Sequence, residues 1–362
     1  MSQHEPDDRA ALRVDDLVKT YPGGIRALDG VSFAVPAGSV FGLLGPNGAG
    51  KSTTVKILTT LTRADSGQAR VVGIDVARQP DRVRRAIGCV FQKAAVDLEA
   101  TGAENLALQG HLYGLRGGEL RRRVGELLDR FGLGNAANRV SRTYSGGMQR
   151  KLDVAMGLVH RPQVLFLDEP TTGLDPQARS EMWAEVGRLA RDEGLTVLLT
   201  THYLEEADRL ADQLAIVDRG KVVAHGSPEQ LKSELRGDAI VVELAAEPSP
   251  ERVRGTLDRL NGSLRDLALD GRTLRARVDS GASAVPAVLA ALDSGGIAVA
   301  SATVARPSLD DVYLRHAGRA FSAANEEGSG RLSEREGSQR EWGATRAVRP
   351  EVRGPDWPRS GR

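Results

Sequence analysis

The chain is short of several things. Among 362 residues there is one cysteine, Cys89, and aromatic residues make up only 4%. A single thiol excludes an internal disulfide and a paired-cysteine zinc site, and its place in the apolar run from Ile87 to Phe91 marks it as a small core residue. No stretch reaches the roughly 20 consecutive apolar residues that a membrane-spanning helix needs, and the polar start from Met1 to Arg9 lacks the apolar run of a secretory signal. A soluble protein that stays in the cytoplasm is expected. An excess of charge of one sign is also missing. The formal net charge of +1 exerts no overall pull toward nucleic acid or anionic lipid, so no nucleic-acid partner is expected and any membrane association must come through a partner surface. Lysine occurs only at positions 19, 51, 56, 93, 151, 221 and 232, whereas Arg, Ala and Gly are abundant, a bias read as that of a GC-rich bacterial genome. Neither a short-period repeat nor sustained heptads are present.

What is there suffices for one large domain and a smaller one, since 40% hydrophobic residues can fill ordinary cores. Leu12 to Val18, Val31 to Val35 and Val40 to Leu44 read as strands, and a helix is expected from about Lys51. Residues 93–150 carry helical spacing at Leu106 to Leu115 and Leu120 to Phe131, with a capping box at Thr101 to Glu104, and predict an inserted helical subdomain. Further on, the apolar runs Val164 to Leu167, Thr196 to Thr200 and Leu214 to Val217 alternate with helix-like segments, Gln177 to Arg191 and Leu204 to Ala211. Such alternation predicts a parallel sheet with helices on its faces. The main domain is expected over 12–235, after a flexible start at 1–11. The pattern then restarts as βαββαβ over 236–320, the order of a ferredoxin-like α+β unit. From Ser322 onward Gly, Ser, Glu, Arg and Pro dominate, and too few aliphatic side chains remain to offset the entropy of ordering, so 321–362 is expected to be a disordered tail.

Three motifs carry chemistry. Gly45-Pro46-Asn47-Gly48-Ala49-Gly50-Lys51-Ser52-Thr53 follows an apolar strand and fits the G-x-x-x-x-G-K-[ST] phosphate loop. Its glycines let backbone N–H groups wrap phosphates, Lys51 brings a point charge to the outer ones, and the Ser52 hydroxyl can coordinate Mg²⁺. Tyr144-Ser145-Gly146-Gly147-Met148-Gln149 is a second glycine-rich helix start, where Ser145, Gly146 and Gly147 form an anion site. One chain needs two such sites only if the second serves another subunit's nucleotide. Asp168 and Glu169 end the run from Val164 to Leu167, at the carboxyl edge where open α/β sheets bind ligands.

In this order the motifs closely resemble those of the ATP-binding cassette (ABC) ATPases, over about residues 12 to 235. The resemblance implies a P-loop NTPase of ABC type in which two copies sandwich two ATP molecules. It implies that Asp168 holds the Mg²⁺ shell and that Glu169 polarises the attacking water. Gln92 contacts Mg²⁺ or water and links the core to the helical subdomain, and His202 hydrogen-bonds the γ-phosphate. Tyr21 stacks on adenine, and the loop around Asp175 crosses the dimer interface, with Asp175 also suited to cap the following helix. Phe91 to Asp97, Thr200 to Ala207 and Pro307 to Leu314 are similar to the daunorubicin-resistance branch of drug exporters; the last of these reads otherwise as a terminal helix docking on the small domain.

The expected protein is thus an ATPase at the cytoplasmic face of a bacterial membrane, a homodimer that drives a separate integral membrane permease exporting a hydrophobic drug or antibiotic. Three alternatives are a soluble ABC ATPase acting on DNA or the ribosome, an exporter of lipid or polysaccharide, and a nucleotide-controlled module without turnover.

Overall fold

The computed structural model describes residues 10–326 apart from 236, 258, 259, 261–263 and 306. Its centre is a six-stranded sheet in the order Lys221–Gly226, Gln213–Asp218, Val40–Leu44, Thr196–Thr201, Val164–Asp168, Ile87–Val90, parallel except for the first pair. Val40–Leu44, Val164–Asp168 and Thr196–Thr201 are buried at every position, as expected of strands covered on both faces. Because these strands run the same way, Leu44, Asp168 and Thr201 end on one edge, which places the phosphate loop beside the acidic pair. None of the described helices is long and apolar enough to cross a membrane.

An antiparallel sheet, in the order Ile25–Pro36, Ala10–Tyr21, Ser66–Val71, Ile74–Asp75, packs its apolar face onto the phosphate-loop helix Lys51–Leu58 through Leu12, Val31, Val55 and Leu58. The first two strands run longer than the alternation predicted. Irregular register between Val14 and Leu17, where Asp16 has φ 50°, breaks the period that marks a strand in sequence.

Helices Gly102–Leu112, Gly117–Arg130 and Gly146–Gly157 close a second core through Leu106, Leu127 and Leu152. The predicted capping box exists: Thr101 Oγ1 accepts from Glu104 N and the Glu104 carboxylate from Thr101 N. Cys89 lies half-buried against the other core, where burial pushes its thiol pKa up to about 12.

The C-terminal part has the anticipated βαββαβ order: Asp238–Leu244, Pro250–Leu257, Arg265–Asp270, Thr273–Val278, Gly281–Ser294 and Val299–Ala305. Its first strand lies between the third and the fourth, all antiparallel, which is the ferredoxin-like arrangement.

Two expectations need correction. Helix Leu309–Ala317 does not dock mainly on this small unit: Leu309, Val312 and Tyr313 share a core with Leu44, Ala207, Ile216 and Leu231 of the central domain. The apolar positions of an amphipathic helix do not say which neighbour they meet. The stretch expected to be disordered from 321 begins as a helical turn over 321–326, with Phe321 and Ala324 buried in the same core. The composition average of the tail hides two apolar residues spaced three apart. The remainder of that tail, and 1–9 of the expected flexible start, lie outside the described residues.

Candidate functional site

Two glycines of the phosphate loop are fixed by crowding. A Cβ at Gly45 would come within 2.3 Å of the Val217 carbonyl oxygen, and one at Gly50, with φ 112°, within 2.6 Å of that of Ala27. Gly48 is exposed, with open space on its Cα, so its backbone can be approached from outside. Pro46 and Ala49 are buried, and Ala49 accepts from Gly220 N, which ties the loop to the turn after Gln213–Asp218. The Lys51 ammonium turns back into the loop, donating to Gly45 O at 2.7 Å and Pro46 O at 3.1 Å. Burial lowers its pKa, opposed by the carboxylates of Glu169 and Asp168. Asn47 N donates to the Asn325 side-chain oxygen at 3.0 Å.

The acidic pair faces this loop with two different environments. Asp168 accepts from Ser52 Oγ at 3.2 Å and from Thr200 Oγ1 at 2.5 Å, so it is joined to the loop serine and to the next strand. The backbone of Glu169 turns left-handed, at φ 50°, while its N–H is held by Thr200. That turn aims the carboxylate at four partners, of which Thr172 Oγ1 donates at 3.3 Å. His202 Nδ1 lies 3.1 Å away, Lys51 Nζ 3.7 Å and Gln92 Nε2 3.5 Å. Burial works against ionisation of Glu169, but His202, Lys51 and Thr172 outweigh it and hold its pKa below the ordinary value. The structure therefore gathers Gly45 to Ser52, Gln92, Asp168, Glu169 and His202 into one cluster. Thr53 follows on the same helix, half-buried.

Other sequence-predicted residues lie apart from that cluster. Ser145 caps helix Gly146–Gly157 by accepting from Met148 N at 3.2 Å, and Ser145 and Gly146 are exposed. Asp175 caps Pro176–Glu193, accepting from Ala178 N at 2.8 Å. A Cβ on Gly147 would come within 2.9 Å of the Ala178 Cβ, so these two helix starts adjoin each other. Among the described residues the hydrogen bonds of Ser145 and Asp175 stay within their own first turns. Tyr21 pairs with Ile25, two residues before Ala27, whose carbonyl meets Gly50.

Sequence reasoning missed Arg150. Its buried guanidinium donates to the carbonyls of Phe91 at 2.6 Å and Pro170 at 2.8 Å, with longer bonds to those of Asp168 and Glu169, and pairs with Asp153 at 3.1 Å. It holds the residue before Gln92 and the turn after Glu169 on one rigid fork. The only available signal was its place one residue after the second glycine motif. Glu206, fully buried, was likewise read only as part of a motif; one carboxylate oxygen accepts from Thr171 Oγ1 and Trp183 Nε1, both at 2.9 Å.

The residues fit a magnesium nucleotide. Backbone N–H groups and Lys51 suit phosphates, while a hydroxyl, a carboxylate and an amide suit a hard cation. Among the described residues no three His, Cys, Asp or Glu side chains form a metal cage.

Comparison with known proteins gives consistent findings. The family described as ABC transporter matches residues 28–172, and that described as the ATP-binding protein DrrA1-3-like C-terminal domain matches 226–317. The chain is 46% identical to the daunorubicin/doxorubicin resistance ATP-binding protein DrrA of Streptomyces peucetius, over 84% of this chain and 91% of that protein. It is 35% identical to the linearmycin resistance ATP-binding protein LnrL of Bacillus subtilis, over 85% of this chain and 98% of the relative. Among solved structures, the dimeric post-hydrolysis state of the ATP-binding cassette MJ0796 bound to ADP and Pi aligns with a TM-score of 0.55 at 27% identity, over 60% of this chain and 98% of that one.

Proposed function

The chain belongs to the ATP-binding proteins of the ABC transporters, and from that premise we propose that it is the ATP-hydrolysing subunit of an exporter that moves a hydrophobic drug or antibiotic through a separate membrane subunit. The observation that carries this reading is the Glu169 carboxylate, set among His202, Lys51 and Gln92 beside a phosphate loop, in a chain that has a second anion loop at Ser145.

The geometry supports the following roles. Loop N–H groups and Lys51 take the phosphates, exchanging the ammonium's bonds to Gly45 O and Pro46 O for phosphate oxygens. Ser52, Asp168 and Gln92 would hold Mg²⁺, which when bound offsets charge on the outer phosphates. Glu169, kept ionised by its neighbours, accepts hydrogen bonds from the attacking water and orients it. His202, whose Nδ1 lies 3.1 Å from the Glu169 carboxylate, is assigned to the outer phosphate. Tyr21 offers its ring to adenine.

Ser145, Gly146 and Gly147 receive the nucleotide held by a second copy, and Asp175 stands beside them at the same interface. ATP then joins two subunits, hydrolysis loosens them, and the opening moves the permease between access states. The protein works as a peripheral homodimer at the cytoplasmic face of the bacterial membrane. Names of relatives that confer daunorubicin, doxorubicin and linearmycin resistance support a drug as the cargo.

The test is phosphate release from Mg-ATP by the purified full-length chain, alone and with a candidate membrane subunit. Activity that requires Lys51 and rises with the membrane subunit is the expected result. A chain that binds ATP yet releases no phosphate under either condition would point to a nucleotide-controlled module instead.

A further inference from the structure

The core helix Leu309–Ala317 leads through Gly318 into the turn at 321–326, and this stretch ends on the phosphate loop. Three contacts guide it there. The Tyr313 hydroxyl and the Arg319 guanidinium both bond Asp218 Oδ1, at 2.9 and 2.8 Å. Asp218 ends the strand Gln213–Asp218, next to Val40–Leu44, which feeds the loop. Phe321 sets its ring edge-on to Tyr313 at 4.9 Å, and Phe321 and Ala324 are buried with Leu44 and Ile216. One residue further, Asn325 Oδ1 accepts from Asn47 N.

Asn47 is the third residue of the loop, and loop N–H groups are the donors that cradle phosphate. An amide carbonyl oxygen on that N–H is chemically a neutral stand-in for a phosphate oxygen. One N–H proton cannot make a well-aligned bond to both. We propose that residues 319–326 form an autoinhibitory strap on the phosphate loop, in which Asn325 and an outer phosphate oxygen of ATP compete for Asn47 N–H. Nucleotide binding and release of the strap are then one coupled equilibrium, and coupling of binding free energies is reciprocal. This inference rests on the reading of the loop as an ATP site.

The competing bond is one ordinary hydrogen bond. Its net contribution of about 0.5–1.5 kcal/mol corresponds to roughly a two- to twelvefold change in affinity. Opposite shifts are expected from two substitutions. Asn325→Ala removes the competitor and tightens binding by that factor. Asn325→Asp keeps an acceptor, makes its bond charge-assisted and sets a negative charge where phosphate must enter, so it weakens binding. A purely structural side chain would shift both variants the same way.

The experiment titrates the full-length wild type and both variants with the Mg²⁺ complex of a non-hydrolysable ATP analogue, and follows hydrogen exchange over 319–326 in the same samples. Tighter binding by Asn325→Ala, weaker binding by Asn325→Asp and faster exchange over 319–326 of the wild type at saturation are the expected results. Equal affinities in all three chains, or exchange over 319–326 that saturation leaves unchanged, overturn the strap while the ATP site stands. No binding by any of the three, with folded chains verified by circular dichroism, overturns the ATP reading and the strap with it.

Discussion

The phosphate loop and the loop at Ser145 both present backbone N–H groups at a helix start, yet the first is the more enclosed by its own chain. At the first, Gly45 and Gly50 are wedged against carbonyl oxygens, Lys51 is buried, and its donors already have partners within the chain. At the second, Ser145 and Gly146 are exposed, and a Cβ on Gly146 would meet nothing within 4 Å. A site crowded by its own chain is shaped to receive a ligand from one direction. A loop exposed at Ser145 and Gly146 has fewer walls of its own around a ligand. The contrast favours division of labour between subunits, in which each chain brings a finished half-site and an open surface for its partner.

The strongest way to break that contrast is to damage each loop separately. Lys51→Ala and Ser145→Arg should each reduce steady-state ATPase activity to background, Lys51→Ala through weakened phosphate binding and Ser145→Arg with nucleotide binding retained. Mixing the two chains should restore part of the phosphate release, because one of the two composite sites in a heterodimer then carries neither lesion. A Ser145→Arg chain that hydrolyses ATP at the wild-type rate would remove the second loop from the site.

A somewhat smaller loss is expected at Glu169. Glu169→Gln should lower turnover about 10²–10⁴-fold, the usual cost of losing a general base, while an ATP-bound dimer accumulates in size-exclusion chromatography with Mg-ATP. Because the pKa of Glu169 is depressed below its ordinary 4.5, its interactions stabilise the fold above that pH and are lost as pH falls through the lowered value. Activity that depends on ionised Glu169 should therefore hold across neutral pH and fall only in acid below about 4.5, as a pH-rate profile would reveal.

Arg150→Met sharpens the comparison from the inside. The guanidinium fastens the acidic turn to the strand that leads to Gln92, and removing it leaves Asp153 buried without its partner. Breaking such a pair costs about 3–5 kcal/mol, measurable as a lower urea midpoint. An unchanged midpoint would mean that the turn is held by the strands alone. Asp175→Ala, on the open side, should cost only ~1 kcal/mol through its lost cap, a change visible in thermal denaturation.

How far the sequence could be read depends on the separation of the interacting residues. The phosphate loop, the acidic pair and the caps at Thr101 and Asp175 are local arrangements, in which a few neighbours and a strand or helix period determine the outcome. His202 and Gln92 were identified through the resemblance to the ABC ATPases, and each follows an apolar strand of the parallel sheet, so both come to the same edge. Arg150 was missed because its partners at 91, 168 and 170 are carbonyls, and a carbonyl leaves no trace in residue identity. The short strand Ser66–Val71 and helix Pro80–Ala86 escaped because few of their residues are buried and their arginines mask the period. Helix Leu309–Ala317 was anticipated near the right residues, but its main docking partner was wrong, since Tyr313 meets Asp218 from 95 positions away.

The return of the C-terminal turn to the phosphate loop also has a consequence for biosynthesis. Asn47 and Asn325 are 278 positions apart, so at about 5–20 residues per second the ribosome needs roughly 15–55 s between making the loop and making the segment that lies against it. From the synthesis of Ile216 until Tyr313, Phe321 and Ala324 are made, the apolar surface around Leu44 and Ile216 lacks the side chains that later cover it. During that stage the uncovered apolar surface makes the nascent chain prone to aggregation.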